Sequence, residues 1–182
     1  MTASDPFSLA WAGVILLCLI YAAVCDIAVR LIPNRISAAI AGLAVPLRLA
    51  DHQLVPGLLV AGLIFAVLTL FWMMRLLGGG DVKLWTACTL LVAPNGLDQG
   101  RFAIQVMLVG GLLAVAYLIL RSIVRLRGRR AVPVQHDPPP RRSLIARIWR
   151  AEQWRARHNG SIPYGVAIAA SAVITLWPQV QR

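Results

Sequence analysis

The chain has 182 residues, 59% of them hydrophobic, and its mean hydropathy of +0.72 places it among integral membrane proteins rather than soluble domains. A formal net charge of +11, carried by 17 Arg and one Lys, would point to nucleic acid in a soluble protein. In a membrane chain the same residues act as determinants of topology, so nucleic acid is not an expected partner.

The first apolar run, from Phe7 to Cys25, is preceded by Asp5 and by no Lys or Arg, unlike the basic start of a signal peptide. It is expected to be a retained span. It ends at Asp26, which opens a polar hairpin running through Arg30 to Pro33 and Asn34, the turn into a second apolar segment at about 36–50. A third segment, at about 54–77, leads into Gly78-Gly79-Gly80-Asp81-Val82-Lys83. Further segments follow at about 82–94, 102–120 and 161–178. A span needs roughly 20 residues, which makes the second and fourth segments short.

Eleven of the 18 positive charges fall between Arg121 and Arg157, which sets that Arg- and Pro-rich loop, 121–160, in the cytoplasm. Counting back through six spans puts the segments around Asp26 and Asp81 on the same side, with Arg48, Arg101, Arg182 and both termini outside. The expected fold is therefore all-α, a polytopic bundle of six transmembrane helices forming one domain over 1–182. With only four spans, Asp26 and Asp81 would lie on opposite faces. Within the loop, residues 143–157 read either as an amphipathic helix on anionic headgroups or as a solvated topogenic stretch.

Cys18, Cys25 and Cys88 lie in or beside apolar runs without CxxC spacing, so neither a zinc ribbon nor a disulfide framework is indicated. His52, His136 and His158 are scattered over three polar segments, and no metal site is expected. What stands out is the pair of carboxylates at the ends of spans. A carboxylate at a membrane boundary is costly and usually functional, and two on one side suggest an acid/base dyad. The bland alternatives are an interfacial cap or an ion pair for Asp26, and an N-cap role for Asp81 behind a glycine C-cap. The three glycines permit positive φ and close backbone approach, so that Asp81 is expected at the edge of an unwound segment. Lys83 is either a partner for ionised Asp81 or an interfacial anchor.

Three separated motifs then combine: Asp26-x6-Pro33-Asn34, Gly78-x-Gly80-Asp81-x-Lys83, and Ile162-Pro163-Tyr164-Gly165-Val166-Ala167 entering the last span. Their order resembles the type IV prepilin peptidases, and among these most the small peptidases of the Flp/Tad pilus system. The resemblance implies an aspartic endopeptidase of the bacterial inner membrane that cuts the short basic leader from pilin precursors at the cytoplasmic face. Asp26 and Asp81 match the catalytic pair, with Gly78, Gly80, Lys83, Pro33, Asn34, Pro163 and Gly165 shaping the site. It implies no metal and no organic cofactor. The prepilin substrate and membrane lipids are the expected partners. Larger relatives also N-methylate the pilin through a domain with paired CxxC motifs, which this chain lacks.

Two carboxylates in a low-dielectric site do not readily both ionise. One then takes a proton from the attacking water while the other donates to the leaving group. The competing classes are an ion-coupled transporter, which predicts carboxylates near the middle of spans, and a non-catalytic membrane scaffold of a secretion machine, which needs neither aspartate.

Overall fold

The computed structural model describes residues 6–128 and 163–180, with side chains over 9–123 and 163–176. The amphipathic stretch expected at 143–157 lies outside the described residues. Each expected apolar segment forms a helix: α1 Pro6–Val29, α2 Asn34–Ala50, α3 Leu54–Met73, α4 Gly79–Leu91, α5 Gly96–Gly128 and α6 Tyr164–Val180. No strand occurs among the described residues.

Among the described residues, three stretches are long and apolar enough to cross a membrane, Leu9–Val29, Leu54–Met73 and Gly96–Ile123. Helix α2 has 17 residues and α4 has 13. At ~1.5 Å per residue these are about 25 and about 20 Å long, short of the ~30 Å hydrocarbon core.

The chain divides into two compact units, one of residues Met1–Gly110 with Pro163–Arg182, the other Gly111–Ile162. In the second, the described part is the C-terminal portion of α5, where the Ser122 hydroxyl donates to the Leu118 carbonyl. The first unit holds both aspartates.

At the centre of that unit lies the shortest helix. α4 packs against α2, α3 and α6, and α1 packs against α2 and α6. Val82, Leu84, Trp85, Ala87, Cys88, Leu90 and Leu91 are all buried, so α4 is apolar on every side, as an interior helix must be. Trp85 meets the edge of the fully buried Phe102 at 6.3 Å between ring centroids. By contrast α3 turns Leu58, Leu59, Leu63, Leu70 and Phe71 outward, an apolar surface suited to lipid.

The end of the unit remote from the aspartates is tied by side chains. Arg48, only 3% exposed, donates from Nη2 to the Leu91 carbonyl at 3.0 Å and pairs through Nη1 with Asp51 at 3.4 Å. Nε2 of Gln99 reaches the carbonyls of Thr89, Val92 and Ala93, so the C-terminal end of α4 finds the donors that a helix end lacks. Asn95 and Asp98 cap α5 reciprocally, backbone N–H of Asp98 to Oδ1 of Asn95 and Nδ2 of Asn95 back to the Asp98 carboxylate.

The helix ends themselves turn on unusual residues. α2 closes with His52 at φ 54° and α3 with Arg75 at φ 60°, each followed by the 6→1 bond of a Schellman turn, Gln53 N–H to Arg48 O and Leu76 N–H to Phe71 O. No described glycine has positive φ. The expectation that Gly78–Gly80 supply left-handed conformations is therefore corrected: Arg75 does so, three residues earlier.

Candidate active site

Asp26 lies in the last turn of α1 and is 6% exposed. A carboxyl group that deep requires a neighbour of small volume, and α6 provides it at its second residue. A Cβ built on Gly165 would stand 2.9 Å from Oδ2 of Asp26 and 2.8 Å from Cδ1 of Ile32, so no side chain fits there. After Val29 the chain turns at Arg30, φ 58°, whose backbone N–H bonds back to the Asp26 carbonyl at 3.1 Å. This left-handed residue ends α1, and its positive charge acts on Asp81.

Asp81 is placed by the opposite kind of helix end. Gly78, extended at φ −74° and ψ 143°, is the N-cap of α4, which makes Asp81 its third residue rather than its cap. The Asp81 carboxylate reaches back to accept from the Gly78 backbone N–H, the return half of a capping box. The segment is not unwound at this point: Asp81 belongs to the first helical turn. The glycines serve close approach instead. A Cβ on Gly78 would meet Oδ2 of Asp81 at 2.8 Å, one on Gly79 the Trp72 indole nitrogen at 3.3 Å, and one on Gly80 Cβ of Ile32 at 3.3 Å.

The two carboxyl groups sense each other. Asp81, just ahead of the apolar part of α4, is pushed up to about 6, first by burial and next by the negative charge of Asp26, against the pull of the Gly78 N–H and of Arg30. Desolvation and a like charge both favour the protonated form. This site can hold one neutral and one charged carboxyl group close to neutral pH, as general acid/base hydrolysis requires.

The remaining residues singled out in the sequence fall around this pair. Pro33, extended at φ −60° and ψ 134°, is the N-cap of α2. Asn34 is its first helical residue and accepts from Nζ of Lys83 at 2.9 Å, tying the starts of α2 and α4 together. Lys83 is thus engaged with Asn34, and the cation acting on Asp81 is Arg30. Pro163 immediately precedes α6 and is half-buried. Sequence reasoning passed over Arg30 and Ile32, and took Tyr164 only as part of the bend between Pro163 and Gly165. The signal for Arg30 was its place one helical turn beyond Asp26. For Ile32 no sequence signal existed, since its contacts with Gly80 and Gly165 join segments far apart in the chain.

The model of the type IV leader peptidase family matches residues 13–119, a stretch containing both Asp26 and Asp81. The chain belongs to this family. Comparison with curated proteins gives no match, and comparison with solved structures gives none. Membership of the type IV leader peptidase family brings a peptidase activity and a protein substrate of the prepilin kind to this helical, apolar chain. The match stops before α6, so Gly165 and Tyr164 rest on their motif in the sequence and on geometry.

Proposed function

We propose that the protein is an aspartic leader peptidase that removes the short basic leader of type IV prepilins, of the Flp/Tad kind, at the cytoplasmic face of the bacterial inner membrane. The observation that carries this reading is the burial of Asp26 against Gly165 with Asp81 near enough to feel its charge. Six spans, with both termini outside, bring the two carboxylates to one face, in keeping with the arginines gathered between 121 and 157.

In this mechanism the charged carboxylate takes a proton from water as the water oxygen bonds to the scissile carbonyl carbon. The carbonyl oxygen becomes negative, then re-forms its double bond as the C–N bond breaks. The protonated carboxyl gives its proton to the departing nitrogen. The pair titrates as a unit, so the two roles belong to the dyad. These 182 residues contain no CxxC pair, in keeping with a product that leaves unmethylated.

The test is cleavage of a type IV prepilin by the full chain in liposomes. Asp26→Asn and Asp81→Asn should each remove nearly all activity while insertion and folding persist, and the double variant should be scarcely worse than either. Asp98→Asn should cost little. Substantial cleavage by a well-folded single variant would favour the scaffold reading. S-adenosylmethionine should change nothing, and mass spectrometry of the product should show a free amino terminus.

A further inference from the structure

Tyr164 begins α6, one residue before the glycine that accommodates Asp26, and its ring is held on two sides. On one it stacks with Trp85 of α4, centroids 6.4 Å apart and planes 23° from parallel. On the other it lies on Gly110 of α5, where an added Cβ would stand 2.5 Å from Cε2, 2.8 Å from Cζ and 2.9 Å from the phenol oxygen. A hydrogen atom at position 110 is thus the condition for the ring's position. Trp85 is itself fixed by Phe102. The phenol is within electrostatic reach of Asp81, and it forms no hydrogen bond among the described residues, although a half-buried tyrosine hydroxyl normally finds a partner. Two adjacent residues of α6 therefore serve the two aspartates, Gly165 by making room for one and Tyr164 by presenting a donor near the other.

We propose that Tyr164 is a third catalytic residue, its phenol O–H donating a hydrogen bond to the carbonyl oxygen of the scissile peptide bond. This rests on the aspartic dyad proposed above. As water adds, the carbonyl π electrons move onto that oxygen and the bond from Tyr164 strengthens. When the double bond re-forms and nitrogen leaves with the dyad's proton, the bond weakens again. Tyr164 keeps its own proton throughout, and the net reaction remains peptide plus water to acid plus amine. A rigid donor aimed at developing charge in a dry site contributes far more than the same group in water. The stack with Trp85 and the contact with Gly110 supply that rigidity.

The experiment compares the full-length protein with Tyr164→Phe, Gly110→Ala, Asp26→Asn and Asp81→Asn, on a type IV prepilin in liposomes. Phe keeps the ring, its stack and its contact with Gly110, so a purely structural Tyr164 predicts wild-type kinetics. As an oxyanion donor, Tyr164→Phe should lower kcat by about 100-fold or more at nearly unchanged KM. Gly110→Ala, which displaces the ring, should lower kcat in the same direction and add little to Tyr164→Phe. A fall in kcat of less than tenfold for Tyr164→Phe, with both aspartate variants inactive, overturns the role of Tyr164 and leaves the dyad standing. Active aspartate variants overturn both. Should the Phe variant fail to fold, difluorotyrosine at position 164 preserves shape and hydroxyl but ionises near neutral pH. The basic side of the pH profile, already falling as the dyad loses its proton, should then steepen where that phenol also loses its own, and a profile identical to the wild type overturns the proposal.

Discussion

Gly165 leaves no space for a side chain beside Asp26: a Cβ there would stand 2.9 Å from the carboxylate oxygen and 3.1 Å from its carbon. Real Cβ atoms do not come that close, so Gly165→Ala must displace the Asp26 carboxyl group, Ile32, or α6 itself. Overpacking of this kind costs about 1–3 kcal/mol. We expect at least a tenfold loss of cleavage with a modest drop in Tm, measured on the purified protein in detergent. Shortening Ile32 to Val in the same chain should restore part of the stability and little of the activity, because the clash with Asp26 remains.

The raised pKa of Asp81 gives a signed pH dependence. Its folded value of about 6 lies above the ordinary 3.8, so between those pH values the folded state binds more protons than the unfolded one. Stability then falls as pH rises through that window and is level above it, by at most roughly 3 kcal/mol at about 1.4 kcal/mol per pH unit. Asp81→Asn should remove that slope in urea unfolding at several pH values. For the reaction, activity should decline as pH rises through about 6, where the dyad loses its shared proton. Arg30→Gln removes a positive charge that favours the ionised form, and should move this limb to higher pH. A limb that stays in place would show that Arg30 does not act on the pair.

Arg48 supports the fold without touching the chemistry. Arg48→Ala leaves the Leu91 carbonyl without its donor, a loss of about 1–3 kcal/mol for an unsatisfied buried group, while the half-exposed Asp51 can turn to water. Asp51→Asn keeps an acceptor oxygen but takes the counter-charge from the 3%-exposed Arg48, and should cost about as much, roughly 1–3 kcal/mol. Both variants should cleave at the wild-type rate per folded molecule. Chemical unfolding alongside a single-turnover assay separates the two effects.

Much of this was legible in the sequence. Hydropathy marked all six helices, because apolar runs separated by polar turns leave few other arrangements, and the resemblance carried by three motifs named Asp26, Pro33, Asp81 and Gly165 as candidate site residues. The missing parts depend on tertiary contact. Nothing local told that Gly80 would be shaped by Ile32, or that Gly110 would lie under the Tyr164 ring, since these pairs come from different helices. Lys83 read either as a partner of Asp81 or as an interfacial anchor, yet on a helix residues two apart diverge in direction, and Lys83 bonds Asn34. Nor did composition reveal that Arg and His would take the left-handed positions usually given to glycine.

Those left-handed caps are separable from function. Arg75 is exposed and holds φ 60° at the end of α3, a conformation costing a residue with a Cβ roughly 1–2 kcal/mol. Arg75→Gly should therefore raise Tm and leave cleavage unchanged. Arg30→Gly relieves the same backbone cost, φ 58°, yet removes the positive charge that acts on Asp81 and should impair cleavage while the fold is retained. Side-by-side melting and kinetics of the two variants give the comparison.

Helix α4 is held in two unlike ways, by donated hydrogen bonds at its C-terminal end and by the lack of side chains at its N-terminal end. In a genetic selection for restored activity these ends should give different families of suppressors. A lesion at Arg48 or Gln99 subtracts a donor, and gains of stability at many distant positions can offset it. A lesion at Gly79 or Gly80 adds atoms at a fixed place, and its suppressors should be confined to the facing side chains, Trp72 for the first and Ile32 for the second. The breadth of the suppressor spectrum would thus show which end of α4 a mutation has struck.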